Sequence, residues 1–466
     1  MTFEEENLWK NIDDFEFESH DEEYGFLVKL SYENNWSEQF TNDAVEEYKK
    51  FMFLATVCDQ MVSPSHIIDI VWHLHLTFSE SYSKFCNVLG KNIKHIPSTG
   101  KKEQKELLLV AVDYTKEKYK EYFGDKNEII WTVKSFEQSI NIESEKKKYF
   151  DLDFSKFFSL GIILCIPMFF IWRPILLKIG NPLFFYIAFA FLVVSLLVIE
   201  FFTNSMFKQL KKRISKESYY QKFTNEEMIV ISERNIKSLI FYKLDKYFKN
   251  AVIDVSESNK NELKVLDEQF TSTNIIDRVI VNSLKDNNTA DITEFISTLI
   301  TKPLFVKLER LSELVNAKIE KTNEFVKSNL VVGGALFLFY SFIISRLVLG
   351  SMRNKPTGNL MIFVIVSTIL VGVYLYNVYF KKRKNIFKNY IKENNNIIKD
   401  SYLDNVVNNE NIILYAGLIT LLTSNSLLEK KDSFFSNNFG SSDGCSSCSS
   451  CSSCSSCSSC GGCGGD

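Results

Sequence analysis

Residues 157–202 read FFSLGIILCIPMFFIWRPILLKIGNPLFFYIAFAFLVVSLLVIEFF, and this stretch decides the fold. It contains two apolar runs, separated by a short break that begins at Arg173 and ends at Pro182. A run of roughly 18 to 20 apolar residues can cross the hydrocarbon of a bilayer. Backbone in lipid has to satisfy its own hydrogen bonds, so each run is predicted to be a helix. Pro167 removes one such bond from the first run. Together the two runs predict a transmembrane hairpin at residues 157–202.

A second pair of apolar runs, at residues 330–380, predicts another transmembrane hairpin. Basic residues are concentrated beside the same ends of the runs, at residues 146–148, 208–213 and 381–384. The opposite loops contain fewer cations: Arg173, Lys178, Arg346, Arg353 and Lys355. Positive charge is retained on the cytoplasmic side of a membrane. We therefore expect a multi-pass protein in a lipid bilayer, with both termini and the segment between the hairpins in the cytosol.

Composition excludes some classes of partner. The chain of 466 residues has a net charge of −3, whereas nucleic-acid phosphates need a concentrated basic surface. No nucleic-acid partner is expected.

The acidic N-terminal segment lacks the basic start and apolar core of a signal peptide. In this cytosolic context the scattered cysteines Cys58, Cys86 and Cys165 are expected to be free thiols.

Residues 1–140 are predicted to form a helical domain. Apolar residues recur at helical spacing after Thr41, a predicted N-cap. A second helix is predicted to open at Ser63 and Pro64, because proline at the first helical position loses no hydrogen bond. A third helix is predicted from about residue 101 to residue 123, with Gly124 ending it.

The second helix contains the residues that carry the most chemistry. Asp69 and His73 are four residues apart, so they share one helix face, and the carboxylate can orient the imidazole. His75 is about 200° around the helix from His73, too far to share one metal ion with it on a straight helix. A metal site made of His73, Cys86 and His95, with His75 as an alternate, is chemically sensible. Two other interpretations stay open: a packed, hydrogen-bonded core around Trp72 and Tyr82, and catalysis by His73.

The motif Asp69-x-x-Trp72-His73-x-His75, with later Tyr82, Cys86 and His95-x-Pro97, supports a resemblance. It resembles the N-terminal region of bacterial membrane proteins related to the plant glycine-rich domain proteins. The likeness spans roughly residues 26–131 and implies membrane hairpins, a small domain between them and a C-terminal Gly/Cys tail, with no assigned activity. Lys94 stands where that pattern has a second histidine, and the tail here is rich in serine. The resemblance implies a bacterial cytoplasmic (inner) membrane.

Residues 214–328 are predicted to form a small soluble insert. Thr224 to Glu227 have the pattern of a capping box. Short apolar runs at residues 251–255 and 263–266 predict a β-hairpin, with helices before and after it. This order resembles a winged helix, but the hairpin tip lacks arginines, so protein partners are expected instead of DNA.

The chain ends in an amphipathic region, residues 381–438, and a low-complexity tail, residues 439–466. The tail is predicted to be disordered. Its seven cysteines are Cys445, Cys448, Cys451, Cys454, Cys457, Cys460 and Cys463. Two thiolates at Cys-x-x-Cys spacing chelate soft metal ions, so Zn²⁺ or Cu⁺ is the expected ligand. A flexible linker, or a target for modification or docking, are the alternatives.

The predicted fold class is mainly α: a helical cytosolic N-terminal domain, two transmembrane helical hairpins, a winged-helix-like α+β insert and a disordered Cys-rich tail. The function that follows is a membrane-anchored binding or scaffold protein with a metal-binding, thiol-rich tail. The alternative is a membrane-bound enzyme or metalloprotein centred on the Trp72-His73-Leu74-His75 motif. No phosphate-binding loop or His-Glu-x-x-His motif is present in the sequence to name a reaction.

Overall fold

The computed structural model of the chain is mainly helical. It describes residues 1–17, 23–95, 102–140, 154–215, 218–255, 262–285, 290–378, 386 and 463–464. The chain divides into two compact units. Unit 1 comprises residues 1–140, 222–314 and 393–466, and unit 2 comprises residues 141–221 and 315–392. The predicted amphipathic region (residues 381–438) lies outside the described residues except for Ile386, and so does the tail except for Cys463 and Gly464.

The described elements up to residue 140 are helices and one strand: α1 (Phe3–Asp13), α2 (Phe26–Asn34), α3 (Glu38–Val57), α4 (His66–Thr77), α5 (Ser79–Leu89), β1 (Lys94–His95), α6 (Lys102–Phe123), α7 (Glu128–Thr132) and α8 (Phe136–Ser139). The elements that follow, up to the insert, are α9 (Phe154–Leu176), α10 (Asn181–Ile214) and α11 (Ser218–Gln221). The remainder are α12 (Asn225–Glu233), α13 (Ile236–Lys249), β2 (Ile253–Val255), β3 (Glu262–Val265), α14 (Ile275–Lys285), β4 (Ala290–Asp291), α15 (Ile292–Thr301), α16 (Pro303–Glu320), α17 (Asn323–Met352), α18 (Gly358–Tyr376) and β5 (Cys463–Gly464).

Capping side chains set where the N-terminal helices begin. The Ser37 hydroxyl accepts a hydrogen bond from the Phe40 amide, so α3 begins before the predicted cap, Thr41, which is inside the helix. Likewise Ser65 caps α4 through the Ile68 amide, so this helix begins after the predicted Ser63 and Pro64. Gly124 does follow the end of α6 and has a φ of +75°, a conformation that favours glycine.

A buried carboxylate closes the core of the N-terminal domain. Glu47, on α3, accepts hydrogen bonds from the Tyr119 hydroxyl (3.0 Å) and the Trp131 indole N–H (2.6 Å). It also pairs with Lys50 at 3.2 Å. Because these donors come from α6 and α7, Glu47 fastens both helices to α3. Satisfied in this way, a buried charge can be tolerated in an apolar core.

The insert has the predicted β-hairpin and one further strand. β2 and β3 are antiparallel, and β4 adds to β3, so the sheet order is β2-β3-β4. Helices α12 to α15 pack around this sheet through an apolar core that includes Leu239, Ile240 and Leu263. The capping box at Thr224 is confirmed, and Glu227 also accepts a 2.7 Å hydrogen bond from the Glu38 amide. The winged-helix assignment stays a prediction.

Unit 2 contains the long apolar helices. Among the described residues, α10, α17 and α18 are long and apolar enough to cross a membrane, whereas the apolar part of α9 found there, Ile163–Leu176, is shorter. Aromatic side chains fill the contacts between these helices: Phe184 stacks on Phe342 at 5.4 Å, and Trp172 meets Phe342 edge-on at 5.2 Å. The pairing of four spans into two transmembrane hairpins stays a prediction.

Candidate metal centre

Three potential metal ligands come together in the N-terminal domain. Asp69 and His73 lie one turn apart on α4, and His95 is in β1. One ligand atom from each residue lies within 4.8 Å of the other two. The Asp69 side chain is only 5% exposed and that of His95 7%, whereas that of His73 is 55% exposed. The group therefore has a buried side and a side open to solvent.

The carboxylate of Asp69 lies between the two imidazole rings. Its Oδ1 is 3.0 Å from His95 Nε2, and its Oδ2 is 3.5 Å from His73 Nε2. The ring centroids of His73 and His95 are 4.4 Å apart. Helical spacing predicted that Asp69 lies beside His73, and the structure confirms this pair. Both Nε2 atoms face one carboxylate. An ion that lies among these three side chains could be bound by all of them.

Trp72 and Tyr82 hold His95 against the helix. The edge of His95 meets Trp72 at a centroid distance of 4.5 Å. The Trp72 indole N–H donates to the Tyr82 hydroxyl at 3.2 Å, and that hydroxyl donates to the backbone carbonyl of Ile93. Since Ile93 is two residues before His95, this chain of hydrogen bonds ties the strand to α4 and α5. Trp72 and Tyr82 thus belong to a hydrogen-bonded core that supports the group.

His75 has a separate, structural environment. It is fully buried, and its ring nitrogens hydrogen-bond the hydroxyls of Tyr48 (3.0 Å) and Ser81 (3.1 Å). Phe17 and Phe26 pack against the ring. Burial lowers the pKa of His75 to about 3, so the ring is neutral at ordinary pH. As the helical angle predicted, it does not join His73.

Cys86 also lies apart from the group. Its thiol is directed to Asn92 Oδ1 at 3.9 Å. Of the four ligands predicted in this domain, the structure brings His73 and His95 together and leaves His75 and Cys86 elsewhere. Asp69 was predicted only to orient His73. The signal for a larger role was its position four residues before a histidine, on the face that also receives His95.

The surroundings of His73 favour its neutral form, which is the form that binds metal ions. Burial lowers the pKa of His73 and the nearby His95 adds to this, while Asp69 acts in the opposite direction. A neutral imidazole can coordinate a metal ion through its free nitrogen. Two imidazole nitrogens and one carboxylate oxygen match zinc sites that keep a fourth position open. The same donor set also occurs in non-haem iron(II) sites.

The tail cysteines from Cys445 to Cys460 lie outside the described residues. Cys463 is in β5, which pairs antiparallel with β1 so that its backbone is opposite His95.

Comparison with known proteins found no matching family model, no matching curated protein and no matching solved structure.

Proposed function

We propose that the chain is an integral membrane protein whose N-terminal helical domain binds a divalent transition-metal ion through Asp69, His73 and His95. The observation that carries this proposal is the convergence of two imidazole Nε2 atoms on one carboxylate at 3.0 and 3.5 Å. Zinc or ferrous iron fits the donors, and the solvent-exposed side at His73 leaves room for a water molecule or a substrate atom.

Hydrogen bonds and ring packing hold the ligands in place, which favours binding. His95 is held by Trp72 and by the loop carbonyl of Ile93 through Tyr82, and Asp69 is on a regular helix. Partners that fix a ligand in place raise metal affinity, because less freedom is lost when the ion binds. A hydrogen-bonded triad without metal would place the same atoms together. A metal site and a metal-free triad can therefore be distinguished by whether the protein binds added metal.

The remaining parts of the proposal come from the sequence. They are four membrane-spanning helices in a bacterial inner membrane with cytosolic termini, a winged-helix-like insert that binds protein partners, and a tail whose thiolates bind Zn²⁺ or Cu⁺. The resemblance of residues 26–131 to bacterial relatives of the plant glycine-rich domain proteins supports this arrangement. In this proposal the membrane protein is a binding scaffold, and no nucleic acid is among its partners.

A second candidate function is general-base catalysis by His73 without a metal. The observation in its favour is an exposed imidazole of lowered pKa beside a buried carboxylate. Such a base is mostly neutral at pH 7 and can accept a proton from a bound substrate. Asp69 would then hold the ring in the orientation that the reaction requires.

Zinc titration of the purified full chain tests the proposal. The seven tail cysteines are replaced by serine so that their thiols do not compete. We expect one equivalent of Zn²⁺ to bind in calorimetry, and Asp69→Asn or His95→Ala to weaken binding by more than about 100-fold, since even supporting residues around a metal cost 10- to 100-fold.

His66→Ala is the matched control, because His66 is exposed on the same helix but outside the group. It should bind Zn²⁺ like the parent. Bound zinc should also protect His73 from acylation by diethyl pyrocarbonate. A parent protein that binds no zinc at micromolar concentration, with His73 freely acylated, would reject the metal site and leave general-base catalysis.

A further inference from the structure

A cavity of about 750 Å³ lies in unit 2, where α9 is joined to α10 and α17 to α18. Four cations line it: Lys178, Arg346, Arg353 and Lys355. No aspartate or glutamate is among the lining residues. The sequence has none at all between residues 161 and 199 or between residues 325 and 378. Glu200 of α10 and Glu324 of α17 lie outside these stretches and do not line the cavity. No carboxylate among the lining residues therefore balances its positive charge.

Arg346 is a fixed cation at this cavity. Its guanidinium donates to the carbonyls of Leu176 (2.6 Å) and Ile179 (2.9 Å) and to Asn181 Oδ1 (3.0 Å). These bonds tie α17 to the connection between α9 and α10. The other three cations are exposed, so their ammonium and guanidinium groups are available to a ligand.

The helix ends explain only part of this charge. Arg353 and Lys355 follow the C-terminus of α17 and Lys178 follows that of α9, positions where a cation complements the helix dipole. The same cavity is also lined by Gly180 and Thr357, the N-caps of α10 and α18, and neither makes a side-chain capping hydrogen bond. Partial positive charge from two helix N-termini thus adds to the four cations.

Four cations at this end of the helices are unusual for loops on the far side of a membrane. Translocated loops are depleted of lysine and arginine, and the predicted orientation puts this end on the side away from the cytosol. Large apolar side chains lie exposed beside the cavity: Leu183 is 55% exposed, Met361 48% and Ile362 61%. A basic cavity that borders an apolar surface is suited to an amphiphile with an anionic head.

We propose that this cavity binds the phosphate headgroup of an anionic phospholipid, with the acyl chains lying along the exposed apolar faces of α10 and α18. Lys178, Arg353 and Lys355 contact the phosphate, and Arg346 supplies a fixed charge behind them. The inference is independent of the metal centre, because the two sites are in different units.

Native mass spectrometry of the detergent-solubilised full chain tests it, with phosphatidylglycerol and phosphatidylcholine as probes. We expect phosphatidylglycerol to bind more tightly. Arg353→Gln with Lys355→Gln should weaken it roughly 30-fold, since each cation near a lipid phosphate contributes about fivefold. The control is Lys208→Gln with Lys212→Gln, the same charge change on exposed residues of α10 outside the cavity. It should bind like the parent.

Three results would overturn the proposal. They are equal affinity for the two lipids, equal loss of binding in the control, and displacement of the lipid by inorganic phosphate alone, which would make the ligand a free anion. Helix content by circular dichroism verifies that each variant is folded. If the double variant does not fold, Lys178→Gln provides a second test, and we expect it to weaken binding about fivefold.

Discussion

His75 makes the stability of the N-terminal domain depend on pH. Burial lowers the pKa of its ring from 6.5 to about 3, and the ring contacts hydroxyls and aromatic rings. Below about pH 6.5 the unfolded chain binds a proton here, whereas the folded domain does so only near pH 3. Between these values the unfolded state holds more protons, so stability falls as pH falls.

The size of the effect follows from the same pKa shift. Within that window the free energy of unfolding changes by about 1.4 kcal/mol per pH unit. From about pH 6.5 to pH 5, the loss is about 2 kcal/mol. Above about pH 7 the ring is neutral in both states and contributes no slope.

Hydrogen exchange of the α4 amides measures this free energy in the full chain, after correction for the intrinsic pH dependence of exchange. The comparison is with His75→Gln, whose side chain does not titrate. This variant loses packing and is less stable at every pH, but other titrating groups contribute equally to both proteins. Between about pH 6.5 and pH 5, we expect the protection of the parent to fall by about 2 kcal/mol more than that of the variant. Equal slopes would refute the assignment of a buried neutral ring.

Three further substitutions test the packing of unit 1 by the same exchange measurement. Lys243→Ala should destabilise the insert by about 3–5 kcal/mol, because it leaves Glu226 and Asp277, both at 2.7 Å from the ammonium, without their cation; an effect as small as that of the exposed Lys249→Ala would contradict this. Glu47→Gln should cost about 1–3 kcal/mol by disturbing the bonds from Tyr119 and Trp131, and unchanged protection of α6 would argue against it. Gly124→Ala should cost about 1 kcal/mol, from backbone strain alone, because its φ is +75° and no atom lies within 4 Å of an added Cβ; a much larger loss would indicate a clash.

Apolar spacing predicted α3, α4 and α6 of the N-terminal domain, because such spacing is a local property of the sequence, but it did not predict the shorter helices α1, α2 and α5. Helix starts were less accurate. Thr41 has a good capping side chain, yet in the structure its hydroxyl donates to the Ser37 carbonyl from within α3. Serine, threonine and asparagine compete for such positions over a few residues, and tertiary contacts decide among them.

The candidate metal centre could be predicted only in part. The pair of Asp69 and His73 follows from their spacing on one helix. His95 is 22 residues beyond His73, and its position depends on Tyr82 reaching the Ile93 carbonyl and on Trp72 packing against the ring. Cys86 was an equally reasonable ligand by residue type. No local rule indicates that α5 directs its thiol to Asn92 instead.

The helix α10 is longer than a bilayer is thick. The 34 residues of α10 extend about 51 Å, against about 30 Å of hydrocarbon. From Phe202, the end of its apolar run, to Ile214 the helix continues for about 18 Å. Near that end Arg213 pairs with Glu324 of α17 at 2.6 Å. The Debye length in physiological salt is about 8 Å, so the surface potential of the lipids is largely screened there. The side chains of Arg213 and Glu324 are only 27% and 13% exposed, and salt screens partly buried pairs much less than exposed ones. The strength of this ion pair should accordingly depend little on either the bulk ionic strength or the lipid composition of the membrane.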